Sequence, residues 1–198
     1  MQFTIHNMVI TVKFSDRINL NLVLKKEGGE YIPEQFPGLV YRMKKPRVSF
    51  LVFSTGIMNC TGATSLNEAK NGIEMMLKLF RQIGVKVYKP KMEIQNIVAS
   101  AELGARLNLD TIAFNLENSE YEPEQFPGLV YRMDNPKVAF LLFGSGKIVC
   151  TGARNAKQIE KAIDCLVRKL KKIRAFKKAN IPITSTQHQH KILIHQAT

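Results

Sequence analysis

A ten-residue word occurs twice in this chain. Residues 34–43 read EQFPGLVYRM, and residues 124–133 read EQFPGLVYRM again, at an offset of 90. The same offset pairs Phe53 with Phe143, Gly56 with Gly146, and Cys60-Thr61-Gly62-Ala63 with Cys150-Thr151-Gly152-Ala153. Near the start, His6-Asn7-Met8-Val9 matches Gln95-Asn96-Ile97-Val98, one residue out of step. Such agreement, motif after motif in the same order, requires a duplicated segment. The period is too long for a solenoid unit, and two copies are too few to build one. Two halves related by a pseudo-twofold axis are expected, at 1–90 and 91–178, followed by an unmatched and flexible tail at 179–198.

Periodicity within each half indicates an α+β fold. Residues 2–13 and 92–101 alternate loosely between apolar and polar, as a strand does, and short helices are expected at 20–26 and 110–117. Three strand-like runs follow in each half, at 39–44, 47–54 and 57–63, then at 129–134, 137–144 and 147–153. Lys45-Pro46, Asn135-Pro136, Thr55-Gly56 and Ser145-Gly146 punctuate them as hairpin turns. Short strands at 29–33 and 119–123 would bring the total to about ten. Each half closes with a longer helix. Ser65 with Glu68 forms a capping-box pattern, followed at helical spacing by Leu66, Ala69, Ile73, Met76, Leu77 and Phe80, and Gly84 ends the run. Asn155 with Gln158 opens its copy, lined by Ile159, Ala162, Ile163, Leu166, Val167, Leu170 and Ile173.

If the helices cover one side of the sheet, alternation assigns the residues of the other. With Ile148, Cys150 and Gly152 facing the helices, Lys147, Val149 and Thr151 face away; so do Ala139, Leu141 and Phe143, and in the first half Ser49, Leu51 and Phe53. An uncovered sheet face this apolar marks a binding surface, for a ligand or for a second copy of the chain. Charge favours a polyanion. Lys and Arg number 29 against 16 Asp and Glu, a net charge of +13, and both halves are basic. Three scattered cysteines (Cys60, Cys150, Cys165) suit neither a disulfide framework nor a zinc site. Apart from a conceivable pair at His188 and His190 in the tail, no metal-ligand cluster is legible, so no metal or cofactor is expected. With no apolar run of membrane-spanning length and no signal-peptide pattern, a cytoplasmic protein without a membrane partner is expected.

Phe36-Pro37-Gly38-Leu39-Val40-Tyr41-Arg42 and its twin at 126–132, each followed by Phe-x-x-Gly and Cys-Thr-Gly-Ala, resemble the TATA-box-binding proteins of archaeal type over about residues 1–175. The resemblance implies a saddle: a curved antiparallel sheet of about ten strands with four helices on its convex face. It implies a non-enzymatic, nucleoid-associated general initiation factor that lays the concave face on the minor groove of AT-rich promoter duplex. Phe36 with Phe53, and Phe126 with Phe143, would wedge between base steps. Asn7, Asn96, Thr61 and Thr151 would hydrogen-bond base edges, while Val9, Val98, Leu51, Leu141 and Val149 press on the groove floor. Arg42, Arg47, Arg132, Lys137 and Lys147 would meet phosphates. Glu120, Glu122 and Glu124, on a loop that carries Ile32 in place of Glu122 in the first half, would receive transcription factor B and through it RNA polymerase.

Two positions depart from the pattern. Ile57 stands where the second half has Lys147, and Asn59 where it has Val149, so unequal halves are expected, the first short of one phosphate contact. Two other readings compete. One is a self-associating interaction module whose apolar face closes on a homodimer in the absence of DNA. The other is a non-specific nucleic-acid-binding domain related to the saddle-like domains of nucleases and glycosylases. The chain carries neither a Gly-rich phosphate loop nor a Ser/His/Asp arrangement, which argues against an enzyme.

Overall fold

The computed structural model describes residues 2–177. The expected tail, with His188 and His190, lies outside the described residues. Nine strands form one antiparallel sheet: β1 (Thr4–Lys13), β2 (Gly38–Arg42), β3 (Ser49–Phe53), β4 (Ile57–Ala63), β5 (Lys91–Glu102), β6 (Ser119–Glu120), β7 (Gly128–Met133), β8 (Val138–Phe143) and β9 (Lys147–Ala153). Their spatial order is β2-β3-β4-β1-β5-β9-β8-β7-β6. The helices are α1 (Leu20–Glu27), α2 (Leu66–Gln82), α3 (Leu109–Asn115) and α4 (Ala156–Lys172). This is the expected α+β saddle. The halves meet where β1 pairs with β5, and the pseudo-twofold axis falls near the Met8–Ile97 pair, flanked by Asn7 opposite Val98 and Val9 opposite Asn96.

The sheet falls one strand short of ten, and the repeat shows why. Ser119 and Glu120 pair with Tyr131 and Val130, whereas their counterparts Gly29 and Glu30 keep only a single bridge, Glu30 to Val40. Gly29 has φ +111°, outside the strand region, so the ladder cannot extend through it.

Helices cover one face. In the first half Ile10, Val12, Phe14, Phe50, Val52, Met58 and Cys60 pack beneath Ala69, Ile73, Met76, Leu77 and Phe80 of α2, and the Phe14 and Phe80 rings stack with centroids 4.9 Å apart. In the second half Ile159, Ala162, Ile163, Leu166 and Leu170 of α4 seal Phe140, Leu142, Ile148 and Cys150. Leu66, expected in the stripe, is exposed: as the first helical residue it precedes the turn that reaches the sheet. The two cores touch, since Met8 packs with the second and Ile94 lies against both.

Both long helices are capped alike. Ser65 Oγ accepts from Glu68 N while the Glu68 carboxylate reaches back to the N–H and hydroxyl of Thr64. Asn155 Oδ1 accepts from Gln158 N, and Gln158 Oε1 from Arg154 N. In each pairing the cap satisfies an N–H of the first helical turn, and the side chain three residues on closes back on the residue before the cap.

Candidate nucleic-acid interface

The face away from the helices is open, and it is built symmetrically. Phe36 and Phe126 are exposed, 41% and 42%, and each meets a partner edge to face: Phe36 lies 6.0 Å from Phe53, and Phe126 lies 6.0 Å from Phe143. The rigid part is the seat. Gly38 is opposite Phe53 and Gly128 opposite Phe143 in the hairpin registers. A Cβ on Gly38 would come within 2.7 Å of the Phe36 ring and 3.1 Å of Phe53; on Gly128 the distances would be 2.6 and 3.0 Å. The glycine of each Phe-Pro-Gly is therefore the floor on which two rings rest. Each first ring is also fixed by its backbone, since Phe36 N donates to Ile32 O and Phe126 N to Glu122 O, both at 2.9 Å.

At the centre, Asn7 Oδ1 accepts from Gly62 N at 2.8 Å and from the Thr61 hydroxyl at 3.2 Å. Asn96 Oδ1 accepts from Gly152 N at 2.7 Å and from the Thr151 hydroxyl at 3.2 Å. A backbone N–H can only donate, so it fixes which end of each amide faces inward; among the described residues the Asn7 NH₂ has no partner, while the Asn96 NH₂ also reaches Thr151 Oγ1 at 3.2 Å. Gly62 and Gly152 hold φ of +101° and +99°, and the adjoining ladders slip register between Met8 and Ile10 and between Ile97 and Ala99. Such bulges re-aim backbone groups. They also break the alternation expected at 147–153: Gly152 is exposed, and Ala153 takes the buried slot.

Val9, Val98, Leu51, Leu141 and Val149 are half-buried on the same face, as are Phe53 and Phe143. Val40 and Val130, overlooked in the sequence, join them opposite Leu51 and Leu141. Their signal was present: each sits between two core-facing residues, Leu39 and Tyr41 or Leu129 and Tyr131. Arg42, Arg47, Arg132, Lys137 and Lys147 are all exposed. Arg42 is paired with Glu30 at 2.9 Å and Arg132 with Glu120 at 3.7 Å, both more than 60% exposed and therefore worth little to stability. Glu122 and Glu124 are exposed on the turn that leads into Phe126.

Two further basic side chains went unnoticed in the sequence. Lys13 stands in register with Ile57, where the second half pairs Glu102 with Lys147. The cation missing at Ile57 thus reappears on the neighbouring strand, with Lys13 Nζ bonded to Thr55 O at 2.7 Å. Arg154 lines an open groove of about 710 Å³ with Asn96, Arg132, Lys137 and Thr151, and is bonded to Glu93 at 3.0 Å. Among the described residues no group of three or more His, Cys, Asp or Glu side chains is placed to hold a metal ion. No described helix is long and apolar enough to cross a membrane. Burial, with the Glu68 carboxylate adding to it at Cys60, pushes the Cys60 and Cys150 thiols up to about 11, so both stay protonated.

The chain is similar to known proteins over most of its length. The model of the family described as "Transcription factor TFIID (or TATA-binding protein, TBP)" matches twice, at residues 2–83 and 91–173. The TATA-box-binding protein of Picrophilus torridus is 46% identical over 176 residues, covering 87% of this chain and 96% of that protein. That of Methanocaldococcus jannaschii is 46% identical over 174 residues, covering 87% and 95%. The solved structure titled "Methanococcus jannaschii TBP" superposes with a TM-score of 0.82 at 45% identity, covering 87% of this chain and 99% of that one. The relatives are non-enzymatic general transcription factors, and this chain belongs to the TATA-binding protein family.

Proposed function

We propose that the protein starts transcription by laying its uncovered sheet face on the minor groove of AT-rich promoter DNA and kinking the duplex with its two phenylalanine pairs. The observation that carries this reading is the combination of Phe36–Phe53 and Phe126–Phe143 at the two ends of an apolar face with two outward amides at its centre. The amides suit adenine N3 and thymine O2, the acceptors every A·T pair offers in the minor groove. Valine and leucine around them leave no partner for a guanine amino group, so G·C pairs are rejected as much as A·T pairs are attracted. An exposed ring can replace base stacking lost at a kinked step, at a cost of about a few kcal/mol per step for the unstacking. Arginines and lysines at the rim then fix position on the phosphates.

Glu120, Glu122 and Glu124 form the surface assigned to transcription factor B, which brings RNA polymerase. Ile32 in place of Glu122 makes the two ends chemically different, and that difference orients the assembly. A cytoplasmic, nucleoid-associated location follows from this function.

Inosine tests the groove assignment. An I·C pair resembles G·C in the major groove but lacks the guanine amino group in the minor groove. Competition binding at fixed salt should rank an I·C-substituted site with the A·T site, far above G·C. Rejection of I·C alongside G·C would place the reading surface elsewhere.

A further inference from the structure

Because the halves are copies, each place where they differ makes the open face asymmetric. One difference lies on the floor between the central asparagines and the Phe36–Phe53 pair. Asn59 stands in register with Thr11 on one side and Leu51 on the other, whereas its counterpart Val149 stands with Ser100 and Leu141. The Thr11 hydroxyl donates to Asn59 Oδ1 at 2.8 Å. Val149 offers Ser100 no such partner, and that hydroxyl lies 2.6 Å from His6 Nε2 instead. An amide held by its oxygen turns its NH₂ away from the holder, and Asn59 Nδ2 has no hydrogen-bond partner among the described residues.

We infer that Asn59, positioned by Thr11, is a third base-reading amide, present on one half only, that donates to an adenine N3. This rests on the minor-groove reading above. The first half then reads one of its base pairs by donation where the second half reads the equivalent pair by apolar contact. On a self-complementary AT-rich duplex the two binding orientations are identical. Removing the acceptor beneath one half makes them different, and the protein turns so that Val149 covers the altered pair.

3-Deazaadenine carries a C–H in place of N3 and still pairs with thymine, so it removes the acceptor alone. The full chain is titrated at fixed salt with self-complementary duplexes carrying this base at each adenine in turn, in one half or in both. At the pair beneath Asn59, a single substitution should cost about twofold, the loss of one of two equivalent orientations. Substitution in both halves should cost about 3- to 10-fold, the weight of one net hydrogen bond. Asn59→Val should abolish both losses there while losses at the central adenines read by Asn7 and Asn96 persist. Val149→Asn should raise the cost of the single substitution to that of the double one in the wild type, because neither orientation escapes it. Equal profiles for the wild type and Asn59→Val would overturn the inference. So would better acceptance of G·C at that step by the wild type than by Asn59→Val, since the oxygen would then face the groove. If neither protein preferred A·T over G·C on unmodified duplexes, the minor-groove reading itself would fall, and Asn59 with it.

Discussion

At the scale of the residue, the site depends on positions that touch no ligand. Gly128 is one. Gly128→Ala would press a methyl group against the ends of the Phe126 and Phe143 rings, within 2.6 and 3.0 Å, rather than against backbone. The fold should survive while the rings leave their preferred rotamers, and affinity for AT-rich DNA should fall about 3- to 10-fold; circular dichroism and equilibrium binding separate the two effects. Asn96→Asp is the complementary change. It keeps an oxygen for Gly152 N and Thr151 but replaces the outward NH₂ with a carboxylate oxygen. Thermal stability should hold while binding drops about 30- to 100-fold; parallel loss of stability would mean the amide is structural. The thiols behave differently. Below the usual thiol range near pH 9, the preference of the fold for neutral Cys60 and Cys150 is fully present, and it is lost as pH rises through about 11. A thiol reagent at pH 8 should titrate Cys165 in the native protein and the other two only in denaturant, because Cys165 alone is half-buried. The phenylalanine pairs and the central asparagines stood out as candidates because the repeat states each of them twice. The seating role of Gly38 and Gly128 was not, since a glycine in Phe-Pro-Gly reads first as a turn residue.

At the scale of the element, most boundaries followed from the repeat combined with period. Where it erred, one copy contained the reason. The fifth strand of the first half shrinks to a bridge because Gly28-Gly29 replaces Asn118-Ser119, and no alternation pattern reports a positive φ. The bulges at Gly62 and Gly152 shift the face of the following residue, which a strict period of two cannot anticipate. The two long helices end alike, with Val85 N bonded to Phe80 O and Ala175 N to Leu170 O. Gly84 occupies the left-handed position after α2, but Arg174 occupies it after α4, at φ +55°. Relieving that conformation with Arg174→Gly should stabilise the protein by about 0.5–1 kcal/mol, net of the extra freedom glycine gives the unfolded chain. A scanning calorimeter should record a midpoint higher by about 2 °C; an unchanged or lower midpoint would mean that Arg174 makes compensating contacts.

At the scale of the whole molecule, a near-symmetric frame carries asymmetric chemistry. The net charge of +13 was visible from composition, but its placement was not: Lys13 substitutes for a cation across a strand boundary, which sequence offsets within a single strand do not reveal. Phosphate contacts set salt dependence and not selectivity. Lys137→Ala and Lys147→Ala should each lower the slope of log affinity against log salt by about 0.9 while leaving the ratio of AT to GC affinity unchanged. Both residues are exposed, so stability should not move. If the two phenylalanine pairs kink AT-rich DNA held against the open face, energy transfer across an end-labelled AT-rich duplex will record the bend. Titrated beside a GC-rich duplex at the same salt, the wild type should shorten the end-to-end distance of the AT-rich duplex alone, and Phe126→Ala with Phe143→Ala should abolish that shortening. Equal binding to both duplexes without any change in end-to-end distance would mean that the protein holds DNA through its charge and does not kink it.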